Sequence, residues 1–268
     1  MNASRCVAMA VFRESVRDRV FYNLVLFAVL LVAASILIGQ LTAGQDVKII
    51  KDLGLAATSL FGLFIAIFVG TSLVSKEVER RSVYPLLAKP VRRSEFIIGK
   101  YLGLLLTLLV NVAVMSVALY AVLFFLARGV PPNIQAVWDA PALDPAMLKA
   151  IGLIYVDLAL VTALAVFFSS YSSPMLSAVF TIALYVIGQF NADLKHFDTI
   201  VHSPGAAAIG KACYYLLPDF AKFDVKLAVV HGLPVPASYV AAATAYGVAY
   251  IAALIAGAIV IFSRRDFK

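Results

Sequence analysis

Long runs of apolar residues, separated by short polar connectors, are the dominant pattern along this chain. Because the hydrocarbon core of a bilayer is about 30 Å thick, roughly 20 residues of apolar helix are needed to cross it. A strand of a membrane barrel needs only about half that number, so runs of this length predict transmembrane helices and not a barrel. There are six such runs, at residues 22–42, 53–75, 101–127, 148–170, about 175–191 and 237–262.

The fifth run is the weakest of the six, because its apolar part is shorter and it ends in Gln189 and Asn191. We expect it to cross the bilayer only with support from neighbouring helices. Overall, 63% of the 268 residues are apolar and 14% are charged, which is typical of a membrane protein. The pattern therefore predicts a single all-α transmembrane domain over residues 1–268, with six spans.

Lysine and arginine are distributed unevenly between the two predicted sides. The N-terminal stretch, the connector 76–100 and the C-terminus carry 14 of the 22 basic residues. Short connectors rich in Lys and Arg stay in the cytoplasm, so both ends and this connector are predicted to lie there. The location implied is a bacterial inner membrane. The net charge of +7 is then explained by topology and by contact with lipid phosphates, and no nucleic-acid partner is expected.

Residues 1–21 have the pattern of an amphipathic helix lying in the membrane interface. Cys6, Met9 and Val16 recur at helical spacing, and charged residues take other positions. The basic residues of this predicted interfacial helix are Arg13, Arg17 and Arg19. The alternative is a solvated basic leader with no membrane role.

The connector between the second and third runs, residues 76–100, is much longer than a turn requires. Val83, Leu86 and Leu87 form a small apolar face beside charged residues, which suits docking into a groove on another protein. The alternative is a loop whose charges only fix topology. At the end of the connector, Gly99 and Gly103 have the small-xxx-small spacing that lets membrane helices approach closely.

Residues 76–103, KEVERRSVYPLLAKPVRRSEFIIGKYLG, resemble the cytoplasmic signature of ABC-2 type exporter permeases, a family that includes the copper-enzyme maturation permeases. Three further features fit that family: the basic N-terminal helix, an external Leu-Pro-Asp-Phe followed by Phe223-Asp224, and the C-terminal Arg-Arg-Asp-Phe. The resemblance thus extends over nearly the whole chain. Pro85 departs from the pattern and leaves the start of the short cytoplasmic helix open.

This resemblance implies a membrane subunit that pairs with a second permease copy and binds two ABC ATPase subunits. ATP and Mg²⁺ would be held by the partner ATPase, so this chain would be neither an enzyme nor a binder of a cofactor. Residues 4–20 would form the elbow helix, and a short coupling helix would span about 77–87. The residues implied in ATPase coupling are Glu77, Glu79, Arg80, Arg81, Val83, Tyr84, Leu86 and Leu87.

Two other functions stay open on the sequence alone. A non-transporting membrane anchor or scaffold would use the same cytoplasmic helix to recruit another protein. An ion-coupled secondary transporter would be expected to show paired broken spans or internal symmetry, and neither is evident. An intramembrane enzyme is disfavoured, because the chain has no H-E-x-x-H or G-x-S-x-G motif. The cargo is not specified by any motif.

The external segment 192–236 mixes a short apolar piece with several prolines, which predicts a re-entrant or interfacial helix on the outer face and a possible periplasmic partner. Its three histidines, His196, His202 and His231, lack the spacing of metal ligands, so no metal site is expected. The stretch from Gly205 to Lys211 resembles a phosphate loop but lacks the Ser or Thr that would hold Mg²⁺.

Asp157 lies inside the fourth apolar run, where a carboxylate is costly in lipid. It is therefore expected to face the bundle interior. Two hypotheses follow: Asp157 lines the translocation path, or it pairs with Asn111 of the third run in a hydrogen bond between helices.

Overall fold

The computed structural model describes residues 3–16, 46–79, 93–135, 141–191 and 217–264, together with positions 22, 26, 29, 30, 34, 138 and 214. Every regular element in these ranges is a helix. The α-helices are α1 (Ala3–Val16), α2 (Asp46–Glu79), α3 (Arg93–Gly129), α4 (Pro132–Gln135), α5 (Ala146–Ser169), α6 (Pro174–Gln189), α7 (Lys226–Val230) and α8 (Ala237–Arg264). A single 3₁₀ turn, Phe220–Phe223, precedes α7 in the described part of the chain.

Four helices are long and apolar enough to cross a bilayer: α2 over Val47–Thr71, α3 over Ser94–Gly129, α5 and α8. They correspond to the second, third, fourth and sixth apolar runs. The fifth run forms α6, whose 16 residues reach only about 24 Å at 1.5 Å per residue. Most of the first run, residues 22–42, lies outside the described residues. The membrane-helix class is thus confirmed, and the count of six spans stays a prediction.

Helix α5 is the centre of the bundle. It packs against α2, α3, α6 and α8, and it is the most buried of the four candidate spans, whereas α8 is the least buried. The contact with α2 is close because Gly62 faces Leu158 and Gly70 faces Ala165. Since small residues let helix backbones approach, α2 and α5 are held together along much of their length.

Several threonine hydroxyls buried in the spans are satisfied by their own helices. Thr58, Thr107 and Thr162 each donate to the carbonyl four residues earlier, at 2.8, 3.0 and 2.8 Å. Such bonds hide a polar group from lipid without requiring a partner helix. These threonines are therefore compatible with a membrane interior and do not by themselves mark a polar pathway.

The two ends of the bundle are fixed by different contacts. At one end, the ring of Phe96 near the start of α3 stacks on Phe262 near the end of α8, with centroids 5.9 Å apart. At the other end, the fully buried Lys51 of α2 donates from Nζ to the Pro141 carbonyl at 2.7 Å. The start of α3 and the C-terminal end of α8 thus share one end of the bundle, and the side of the membrane on which that end lies stays a prediction.

Candidate functional site

The predicted ATPase-coupling region begins at the end of α2. Glu77 and Glu79 belong to the last turns of this helix, which runs on without a break from the span. Helix α3 then begins at Arg93. The other predicted coupling residues lie outside the described residues: Arg80, Arg81, Val83, Tyr84, Leu86 and Leu87. Their docking role stays a prediction.

Helices α2 and α3 extend towards the connector 80–92 as continuous helices. The apolar part of α2 ends at Thr71, and residues 72–79 continue it by roughly 12 Å at 1.5 Å per residue. The same helix carries Gly62 and Gly70, which contact α5, so one continuous helix joins Glu79 to the centre of the bundle.

Helix α1 is seated on the two glycines at the start of α3. A β-carbon at Gly99 would lie 2.7 Å from Val7 Cβ, and one at Gly103 would lie 2.6 Å from the carbonyl oxygen of Ala8. No real side chain fits at such distances, so the small-xxx-small pair is needed for this helix crossing. The predicted close approach is confirmed, and its partner is the N-terminal helix.

The two faces of α1 have different surroundings. Val11 and Ser15 are buried against the bundle, whereas Cys6 and Met9 are exposed. The exposed apolar residues are those that the sequence assigned to the lipid-facing side, so this face is available to the membrane interface. Arg13 is also exposed, while Arg17 and Arg19 lie outside the described residues.

Asp157 lies in the core of the bundle with only 5% of its surface exposed. The Tyr185 side chain of α6 lies close enough to the carboxylate to interact with it, and Gln189 lies close to Tyr185 in turn. Oδ1 of Asp157 has no hydrogen-bond partner among the described residues. An intramembrane carboxylate with this much burial and an open acceptor is a candidate functional group.

Two charged residues of the external segment, Lys226 and Asp224, lie within electrostatic range of Asp157. They form an ion pair with each other, Lys226 Nζ lying 3.5 Å from Asp224 Oδ2. Lys226 thus has Asp224 as its close partner, and Asp157 is a more distant carboxylate inside the bundle.

The hypothesis that Asp157 pairs with Asn111 is wrong. Asn111 is fully buried in α3, but neither its oxygen nor its nitrogen has a hydrogen-bond partner in the described part of the chain. The contacts that join α3 to α5 nearest Asp157 come instead from tyrosines: Tyr101 donates to the Ala159 carbonyl, and Tyr155 donates to the Leu105 carbonyl, both at 3.2 Å. The role of both polar residues in a translocation path stays a prediction.

The described part of the external segment packs onto the bundle through two phenylalanines. Phe220 and Phe223 are 1% and 2% exposed. Phe220 packs where Gly188 of α6 has no side chain, and Phe223 packs against Gly247 of α8. Residues 217–236 thus form a cap over the end of the bundle at which α6 ends and α8 begins. The backbone N–H of Asp219 in the cap also donates to the Tyr246 hydroxyl of α8 at 2.9 Å.

The re-entrant or interfacial helices predicted for residues 192–236 are only partly within the described residues, so they stay a prediction. The described part holds only a four-residue 3₁₀ turn and the five-residue α7. The prolines at 218, 234 and 236 explain this, because proline interrupts a helix wherever it falls beyond the first turn. The apolar piece predicted at about 205–217 lies almost entirely outside the described residues.

No group of three or more His, Cys, Asp or Glu side chains is placed to hold a metal ion in the described ranges. His231 follows α7 directly, and His196 and His202 lie outside those ranges. The expectation of no metal site therefore stays a prediction.

The sequence missed Tyr185 and Lys226 as partners of Asp157. A signal for Tyr185 was present, because Tyr185 and Gln189 are four residues apart and share one face of a mostly apolar helix. Lys226 had no such signal, since its approach to Asp157 depends on how the cap folds.

The profile of one protein family matches almost the entire chain. The family is described as ABC-2 family transporter protein, and the match covers residues 6–267. A comparison with curated proteins found no match. The match supports the family that the 76–103 signature resembled, while the copper-enzyme maturation subfamily stays a prediction. The chain therefore belongs to the ABC-2 family of membrane transporter proteins.

Proposed function

We propose that the chain is the membrane subunit of an ATP-binding-cassette exporter in a bacterial inner membrane. It couples ATP hydrolysis by a separate ATPase subunit to translocation of a substrate or to mechanical work. The observation that carries the proposal is the family match over residues 6–267, because permeases of this family work with an ABC ATPase.

In the proposed assembly, two copies of the permease, identical or different, bind two ATPase subunits, and the ATPases hold ATP and Mg²⁺. The connector 76–100 faces the cytoplasm and supplies the coupling helix. The cap at residues 217–236 faces the outside, where it is accessible to an accessory protein. Both chain ends lie in the cytoplasm, as the distribution of Lys and Arg supports.

The proposed mechanism is a mechanical one. ATP-driven closure of the ATPase dimer displaces the connector, and α2 and α3 transmit that displacement into the bundle. The continuity of α2 from Val47 to Glu79 supports this step, because it leaves no hinge between the connector and the contacts with α5. Movement of α5 relative to α6 then changes the environment of Asp157, which lies on the proposed path.

The test uses Leu87→Asp and Arg81→Glu in the permease reconstituted with its ATPase. Both variants change the proposed docking surface without entering lipid, so they are expected to insert normally and to lose stimulation of ATP hydrolysis. Leu227→Asp is a matched control, because Leu227 is 70% exposed in α7, on the cap. Normal stimulation in both connector variants contradicts the proposed coupling role. An ATPase that binds but is never stimulated by the wild type supports a scaffold instead.

A further inference from the structure

A groove of about 770 Å³ lies between α3 and α5, towards the end of the bundle that carries the cap. Every residue that lines it is uncharged, and most are Leu, Val, Ala or Phe. Its walls come from two candidate membrane spans and from the turn before α5. The groove is thus a lateral recess between two candidate membrane spans.

The few polar groups in the lining are already satisfied within the protein. Ser116 donates to the Val112 carbonyl at 2.6 Å, Tyr120 to the Asp144 carbonyl at 3.1 Å, and Tyr155 to the Leu105 carbonyl at 3.2 Å. None of these hydroxyl protons is left for a polar ligand. The groove therefore favours an occupant that is apolar along its whole buried length.

Gly152 keeps the recess open. A β-carbon at this position would meet no other atom within 4 Å, in contrast to the tightly packed Gly62 of α2 and Gly103 of α3. Packing between helices therefore does not explain this glycine. A larger side chain here would project into the groove without a clash inside the protein.

A positive charge lies at the outer end of the groove. The Arg128 guanidinium lies over the ring of Phe124, a groove residue, with Cζ 4.2 Å from the ring centroid. Arg128 is exposed, and no acidic side chain among the described residues forms an ion pair with it. A guanidinium at the end of a span lies where lipid phosphates are found, and its planar donors match a phosphate.

We propose that this groove is a phospholipid site, in which one acyl chain of an anionic glycerophospholipid lies between α3 and α5 and its phosphate binds Arg128. The apolar lining, whose hydroxyl groups already donate to protein carbonyls, favours the acyl chain, and Arg128 favours the anionic headgroup. The site is separate from the proposed coupling surface at the opposite end of α3.

The test is native mass spectrometry of the full-length protein, delipidated and titrated with dioleoyl phosphatidylglycerol. Wild type is expected to bind one lipid preferentially. Gly152→Leu should weaken lipid binding about tenfold, because the leucine side chain would displace about two methylenes of the acyl chain from the groove. Arg128→Ala should also weaken it about tenfold through loss of a charge-assisted bond, and Arg128→Lys should retain most of the affinity.

Two controls make the result specific. Ala252→Leu adds a similar side chain on the exposed face of α8 and should bind as wild type does. Dioleoylglycerol, which lacks the phosphate, should bind wild type no better than phosphatidylglycerol binds Arg128→Ala. Equal binding by Gly152→Leu, Arg128→Ala and wild type overturns the proposal. A Gly152→Leu protein that keeps the lipid but loses self-association also overturns it, because the groove would then be a seat for a second protein chain.

Discussion

The Ala8 carbonyl of α1 lies directly against Gly103 of α3, so close that a β-carbon at residue 103 would stand 2.6 Å from its oxygen. Such a separation is well inside van der Waals contact and leaves no space for any residue larger than glycine. The N-terminal helix is therefore positioned by the same stretch of α3 that follows the proposed coupling connector. A displacement of the start of α3 would move α1 with it.

Replacing Gly103 by Ala is expected to destabilise the protein or to displace α1. The added methyl group overpacks the crossing by about 1–3 kcal/mol, which outweighs the roughly 1 kcal/mol that alanine contributes to a helix. Thermal unfolding in detergent measures the change. Gly152→Ala is the matched control, because its methyl group meets no atom within 4 Å and only the favourable helix term remains. Equal effects of the two substitutions would contradict the close seat of α1.

Tyr185 of α6 is expected to stabilise the buried Asp157 carboxylate and so to couple α5 to α6. Tyr185→Phe removes the hydroxyl that interacts with this carboxylate, which should cost about 1–3 kcal/mol of unfolding free energy. A double-mutant cycle with Asp157→Ala measures the interaction itself, with an expected coupling of about 0.5–3 kcal/mol. Strictly additive effects would show that the pair does not interact. Asp157→Asn separately tests the pathway role, which is refuted if assembly and transport are both unchanged.

Cysteines introduced into the cap are expected to be labelled from outside the cell only where the replaced side chain is exposed. In a variant lacking Cys6 and Cys213, Leu227→Cys should be labelled by a membrane-impermeant maleimide on intact cells, because Leu227 is 70% exposed. Val229→Cys should stay unlabelled, because Val229 is fully buried. A cysteine at Ser82, in the connector, should react only after permeabilisation. Labelling of position 82 but not 227 on intact cells would reverse the proposed orientation.

Phe223→Ala is expected to loosen the cap by removing a buried ring, at a cost of about 3–5 kcal/mol. Combined with Val229→Cys, it should make the thiol reactive towards the same reagent, since the 3₁₀ turn and α7 are consecutive. Phe190→Ala is the control, because Phe190 is 60% exposed and its loss leaves no cavity. Unchanged protection of Val229→Cys in the Phe223→Ala protein would show that the ring does not hold the cap.

The sequence predicted well what depends on periodicity and length. Four apolar runs became span-length helices, and the Gly99–Gly103 spacing marked a real helix crossing. Prediction from the sequence failed where the partner of a buried polar group depends on which helices become neighbours. Asn111 and Asp157 are both buried polar groups, yet Asn111 has no hydrogen-bond partner among the described residues and Asp157 lies close to Tyr185 on the short α6. No local pattern specifies that choice, because it is made by the packing of α5 against α6.

The central claim is that the connector recruits an ABC ATPase, and co-purification tests it most directly. The tagged wild-type protein and Leu87→Asp are solubilised from native membranes in parallel, with Leu227→Asp as the control. The account predicts a stoichiometric ATPase subunit with wild type and Leu227→Asp, and its loss with Leu87→Asp. A permease that purifies without any ATPase, or one that retains the ATPase equally in all three forms, would contradict it.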